Sequence, residues 1–340
     1  MVKLKDIAER AGVSIMTVSK ALRDSKDIAP ATRAKLRRLA EEMGYVPDLS
    51  AQLMRSGKTK LFGLIISAAT NPIYARIMMA IEERAHEMGY DLMFAHSLNQ
   101  ISREESCIRR FLLRRVDGLF ITPVYRLTPT APAYQDITRF KVPTVILGHR
   151  GLFCSSFANV ETDDIAASFA MTKHLIDLGH KRIAYFTGPP VSPSAQERYE
   201  GYRRALREAN IEMDDRLVFN AGSTIEEGEK AALQMLNENP GATAVQAVND
   251  LVAIGAADVF LNQGVAVPGQ LSVAGFGNIL VSEYFRVPLT TVRQPKLRLG
   301  YAAMDSMQAL MRGEPPENKR LRAEVITRAS TAPPVGKSPA

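Results

Sequence analysis

Residues 13–22, Val-Ser-Ile-Met-Thr-Val-Ser-Lys-Ala-Leu, gather three hydroxyls, an ammonium group and the apolar pair Ile15 and Met16 within almost three helical turns. At helical spacing Thr17, Ser19 and Lys20 fall on the face opposite Val18, Ala21 and Leu22. Short hydroxyls suit phosphate oxygens, which fix register without reading sequence. A lysine suits a phosphate or a guanine edge, and Ile15 and Met16 suit thymine methyls. The chemistry is that of a nucleic-acid surface. Enzyme chemistry has little to build on: no G-x-G-x-x-G follows a strand, and there is no P-loop, no G-x-S-x-G and no metal-ligand spacing. The adjacent pair Asp163-Asp164 could serve as acid and base, but before an apolar helix it reads as a cap. No enzyme, cofactor or metal is expected.

The elements around residues 13–22 set how that stretch is presented. "KLKDIAERAG" puts Leu4, Ile7, Ala8 and Ala11 on one stripe and stops at Gly12. Ser14 can cap a second helix. Pro30 opens "PATRAKLRRLAEEMG", with Leu36, Leu39, Ala40 and Met43 inward. Two helices joined by Gly12-Val13-Ser14 have the form of a helix-turn-helix, whose second helix enters the major groove. The remaining possibility is a plain three-helix bundle.

Charge separates this head from the rest. The first 60 residues hold 13 Lys+Arg and 7 Asp+Glu, an excess of six, while the whole 340-residue chain carries only +7. A basic tip on a near-neutral body suggests a polyanion-binding unit. Hydrophobic residues make up 46% without any run of 18, so no membrane span is expected. "MVKLKDIAER" lacks an apolar signal region, which points to the cytoplasm, where Cys107 and Cys154 stay reduced. The five histidines are scattered.

From residue 61 apolar strands alternate with helices. "LFGLII", "DLMFAH", "VDGLFIT", "VPTVILG", "RIAYFTG", "AVQAVND" and "LSVAGFG" read as strands, with helices such as "IYARIMMAIEERAHEMG" between them. That alternation predicts parallel sheets covered on both faces, in two Rossmann-like units, with a ligand at the strands' carboxyl ends.

"LKDIAERAGVSIMTVSKAL" followed by "TRAKLRRLAEEMGYVPDLSAQLMRSGKT" resembles the DNA-binding head of the LacI/GalR family of transcriptional regulators, through A-x-x-A-G-V-S, T-V-S, G-Y-x-P and S-G-K-T. "VETDDIAASFAMTKHLIDLGHKRIAYFTGPP", "ERYEGYRRAL", "AVNDLVAIGA" and "PLTTVRQPKLRLG" extend the resemblance along almost the entire chain. It implies a small all-α helix-turn-helix head (1–46), a hinge (47–60) and a periplasmic-binding-protein-like α/β body (61–331). Lobe one would comprise 61–160 and 292–321, lobe two 161–291 and 322–331, and 332–340 a disordered tail. Crossings are expected near 159–162, 289–293 and 321–324. By the same resemblance Ile15, Met16 and Lys20 read bases, and Thr17, Ser19 and Thr32 hold phosphates. Ala51 lies near the minor groove, and Met54 fills a wedge position that kinks DNA. Two positions depart from the family pattern. Ala29 stands where a serine usually caps the third helix, and Lys20 stands where most members carry arginine.

Function follows as an expectation: a homodimeric repressor on double-stranded operator DNA, controlled by a sugar, sugar acid or sugar phosphate bound between two lobes. A cytoplasmic solute sensor without operator binding is the alternative. Motif positions give Ser67, Tyr74, His149, Arg198, Asn249, Asp250 and Asn278 as effector contacts. Locally, Arg198 could instead pair with Glu197 or Glu200, and Asn249 could simply cap "DLVAIGA". Gly277-Asn278 replaces a pair of aspartates common in neutral-sugar binders, Gly148 another aspartate and Ser223 a stacking tryptophan. Loss of carboxylates beside a retained Arg198 tilts the expected effector toward an acid.

Overall fold

In the computed structural model, residues 2–46 and 58–335 are described; Ala51, Met54 and residues 336–340 lie outside them. The chain divides into two units, 1–59 and 60–340.

In the first unit, α1 (Leu4–Ala11), α2 (Ile15–Leu22) and α3 (Pro30–Glu42) close over Ile7, Ala8, Val18, Ala21, Leu36 and Ala40. Leu4, Leu22, Leu39 and Met43 pack against that core, so each stripe read from the sequence faces inward. Gly12 ends α1 in the left-handed region (φ 66°), where its amide reaches the Ala8 and Glu9 carbonyls. Ser14 Oγ then accepts the Thr17 amide at 3.1 Å, which fixes the start of α2. At α3 the Pro30 start is present, but Ala29 supplies no side-chain cap.

The second unit runs β1 (Leu61–Ile66), α4 (Ile73–Glu87), β2 (Asp91–His96), α5 (Ile101–Leu113), β3 (Gly118–Ile121), α6 (Pro132–Arg139), β4 (Thr144–Leu147) and β5 (Ala158–Thr162). It continues with α7 (Asp164–Asp177), β6 (Ile183–Thr187), α8 (Pro193–Glu208), β7 (Val218–Asn220), α9 (Ile225–Glu238), β8 (Ala244–Ala247), α10 (Asp250–Asn262) and β9 (Ser272–Gly277). The last elements are α11 (Leu280–Tyr284), β10 (Thr290–Arg293), α12 (Lys296–Met311), β11 (Asn318–Leu321) and β12 (Glu324–Ile326). Two six-stranded sheets result, ordered β11-β5-β4-β3-β1-β2 and β12-β10-β9-β8-β6-β7. Only the β10–β12 pairing is antiparallel among those described. Helices cover both faces of each sheet, which is why β1, β3, β4 and β9 are apolar runs without polar alternation.

Three crossings connect the sheets. β5 stays paired with β11 through Thr162, and β10 with β9 through Arg293. The first two crossings therefore come slightly later than the boundaries at 160 and 291, because the ladder hydrogen bonds hold each strand to its end. The third falls between Leu321 and Glu324. The body also reaches past the boundary at 331. Ala332 donates its amide to Ser272 Oγ at 3.0 Å and its carbonyl accepts from His180, so it is tied to the body rather than opening a disordered tail.

Candidate functional site

On the head, Ile15 is 49% and Met16 68% exposed, a large apolar display for the first turn of a helix. Thr17 Oγ1 lies 2.8 Å from Ser14 Oγ and stays partly accessible, as does Thr32 on α3. Ser19 corrects the sequence reading: it is only 9% exposed, because it packs on the side of α2 nearer the core, and offers little hydroxyl surface to a phosphate. Lys20 Nζ lies 3.0 Å from Asp27 Oδ2, and this hydrogen bond holds the Asp27 carboxyl below its ordinary range. The pair is solvent-exposed, so releasing Lys20 costs little. Asp24 takes Arg37 and Arg33 in the same way.

In the body, a cleft of about 430 Å³ opens where the carboxyl ends of the two sheets face each other. Ser67 follows β1, His149 follows β4, Asn249 follows β8, Tyr74 comes from the first turn of α4 and Arg198 from the second turn of α8; all line the cleft. Ser67 donates to the Tyr74 hydroxyl at 3.1 Å. Gly201 makes the position of Arg198 possible: a Cβ there would sit 2.4 Å from the Ile165 carbonyl oxygen, so α7 and α8 pack backbone to backbone. At that approach Ser168 Oγ donates to the Arg198 carbonyl at 2.5 Å. The guanidinium then donates from Nε to Asp164 Oδ1 at 3.0 Å and from Nη1 to the Val248 carbonyl at 2.8 Å, over the Phe276 ring. Arg198 pairs with Asp164, not with Glu197 or Glu200.

Two expected contacts are corrected. Asn278 is outside the cleft lining; its Oδ1 accepts from Arg328 at 2.7 Å. Asp250 borders the cleft but is 1% exposed, with its oxygens committed to Thr291 (2.5 Å), Ser282 (2.7 Å) and the Ile279 amide (2.9 Å). Burial raises its pKa, opposed by these donors and by Lys296. Lys296, itself pushed down to about 8 by burial, donates to the Gly277 and Asn278 carbonyls. Asp250 thus anchors the β9–α11 turn. Asn249 caps α10, accepting the Val252 amide at 2.8 Å while donating to the Ser223 carbonyl.

Sequence reasoning missed the acidic character of the cleft. His149 Nε2 lies 2.9 Å from Glu197 Oε2, 3.6 Å from Asp164 Oδ2 and 3.9 Å from Glu161 Oε2. Arg320 reaches from β11 to Glu161 (2.8 Å) and Glu197 (2.6 Å), with Asp163 at 3.8 Å. Burial lowers the His149 pKa, but the surrounding carboxylates raise it further than that. Burial raises Glu197, yet His149 and Arg320 hold it below the usual range. Four carboxylates face two arginines and one histidine, so carboxylates outnumber the arginines around the cleft. The carboxylates argue against the acidic effector that the motif positions suggest. Glu197 stood beside Arg198 in "ERYEGY", but nothing local signals Arg320, which lies 159 residues beyond its partner Glu161.

A helix-turn-helix unit and a two-sheet body with a cleft at facing strand ends define a DNA-binding regulator built on a periplasmic-binding-protein-like fold. Residues 3–48 match the profile of bacterial regulatory proteins, lacI family, and residues 172–331 that of a periplasmic binding protein-like domain. The regulator GalR of Salmonella typhimurium is 31% identical over 310 residues, covering 91% of this chain and 90% of its own. The repressor PurR of Photobacterium profundum is 28% identical, covering 97% and 98%. Among solved structures, the lac repressor dimer bound to operator and the anti-inducer ONPF superposes with a TM-score of 0.86 at 26% identity, covering 97% and 99%. A CelR–cellobiose complex gives 0.74 at 29% identity, covering 97% and 100%. The chain belongs to the LacI family of transcriptional regulators. Among the described residues no helix is long and apolar enough to cross a membrane.

Proposed function

We propose that this protein is a cytoplasmic, homodimeric repressor whose operator affinity is set by a small polyhydroxylated effector, neutral or cationic, held between the two lobes. The observation that carries the reading is the cleft itself: it gathers residues from the carboxyl ends of both sheets, so one ligand touches both lobes and can bias their relative orientation. In this reading Arg198 presents its guanidinium edge to hydroxyls, with Ser67, Tyr74, Asn249 and His149 around the same space. Asp250 acts by holding the turn behind the cleft. On the head, Ile15, Met16 and Lys20 read base edges while Thr17 and Thr32 fix register on phosphates. Ala51 and Met54 retain the roles of minor-groove neighbour and wedge that the resemblance implies.

Calorimetry on the full chain tests the effector class, with neutral hexoses and disaccharides, amino sugars and sugar acids titrated in parallel. Neutral or amino sugars should bind, and Arg198→Lys should weaken the best of them by about 1.5–3 kcal/mol, the worth of a hydrogen bond to a charged group. Preferential binding of sugar acids would overturn the charge argument.

A further inference from the structure

We propose that His149 Nε2, Asp164 Oδ2 and Glu197 Oε2 form a divalent transition-metal site that joins the two lobes across the cleft. The three atoms lie within 4.8 Å of one another. Two of their separations, 2.9 and 3.6 Å, bracket the spacing of about 3.3 Å between donors sharing a tetrahedral ion with bonds near 2.0–2.1 Å. One imidazole and two carboxylates suit Zn²⁺ and its neighbours better than Ca²⁺ or Mg²⁺, which favour all-oxygen sets.

Three further features support an ion here. First, His149 is 94% buried, and its Nε2 is left without a hydrogen-bond partner. Glu197 Oε2, 2.9 Å away, has no hydrogen-bond partner either. Two buried, unsatisfied donor atoms aimed at one point call for a shared partner. Second, each carboxylate is oriented through its other oxygen, Asp164 Oδ1 by Arg198 and Glu197 Oε1 by Arg320. Ligand carboxylates in metal sites are held by outer hydrogen bonds in this manner. Third, four carboxylates outnumber the two arginines here, an arrangement a bound cation balances.

His149 leaves the end of β4, in the first sheet, whereas Asp164 and Glu197 belong to helices packed on the second. An ion bound here ties one lobe to the other. Three protein donors leave a fourth position, and His149 and Asp164 both border the cleft, so that position faces the space a ligand would fill. Binding of the ion does not require the effector reading and is measured without any sugar.

The test uses the full chain, stripped with chelator and titrated with ZnCl₂ by calorimetry, and in parallel with CoCl₂ by visible absorbance. One ion per chain is expected, with a ligand-field band for Co²⁺. Glu197→Gln and His149→Gln should each weaken Zn²⁺ about tenfold or more, and His149→Gln should shift the Co²⁺ band. Circular dichroism checks that both variants are folded. Should a variant fail to fold, the wild-type stoichiometry and Co²⁺ spectrum decide alone. Absence of binding, or binding by wild type with no ligand-field band, overturns the proposal and leaves the cluster as a plain ion-pair network. So does equal affinity in both variants.

Discussion

The head and the body place their functional residues by different means. In the head every functional side chain lies on α2 or α3, within 18 residues, and its direction follows from helix period and a single cap. In the body the cleft draws on residues from Ser67 to Leu299, with Arg320 behind it, so its chemistry exists only once two sheets and three crossings are in place. Local geometry can be read from a string of residues. Charge brought together from distant parts of the chain cannot.

The sharpest way to break this contrast is to attack a buried group that only the assembled body explains. Asp250→Ala removes the acceptor of three hydrogen bonds and leaves buried Lys296 without its counter-charge. Urea denaturation should show the body destabilised by about 3–5 kcal/mol, with the head's own transition unmoved. If the loss is under 1 kcal/mol, Asp250 is not an anchor and returns to the list of effector contacts.

A second test concerns the head alone. Lys20→Ala should cost about 1–3 kcal/mol on the preferred operator while binding to random DNA changes far less, as for a base-reading contact. Uniform loss on both DNAs would reassign Lys20 to a phosphate. Smaller again is the missing cap on α3. Ala29→Ser should stabilise the head by about 1 kcal/mol in thermal melts, through a side-chain oxygen for the first-turn amides. No gain would mean that Pro30 already fixes that turn.

Protonation gives the mildest effect. Burial lowers the pKa of His180, whose ring bonds Thr243, Ser272 and the Ala332 carbonyl. The folded body thus keeps it neutral while the unfolded chain takes a proton near its ordinary value of about 6.5. Below that pH the unfolded state binds more protons, so stability should fall as pH drops from about 7 toward 5. His174, lowered for the same reason, acts in the same direction. His180→Asn should flatten the slope; an unchanged slope would place the titration elsewhere.

These contrasts also explain what was legible beforehand. The three head helices, the strands with continuous apolar runs and the helix beginning at Ile73 followed from periodicity. β5, β7 and β11 did not, because Ala-Asn-Val-Glu-Thr, Val-Phe-Asn and Asn-Lys-Arg-Leu lack an apolar run; they are strands because an adjacent edge offers them hydrogen bonds. In the cleft, motif positions located Arg198, His149, Ser67 and Tyr74. They misjudged Asn278, whose side chain follows Arg328, and Asp250, whose oxygens are used within the fold. Ser19 was misjudged because helical period alone does not say how deeply α2 sinks against α1 and α3. The acidic cluster escaped because its members are spread from Glu161 to Arg320.

The most direct test of the account selects DNA fragments with the purified full chain from a genomic library and measures the winners by fluorescence anisotropy across salt. It predicts a two-fold symmetric site, affinity falling steeply with salt, and loss of that preference in Lys20→Ala. Capture of no preferred sequence, or a preference that survives Lys20→Ala together with Met16→Ala, would contradict it.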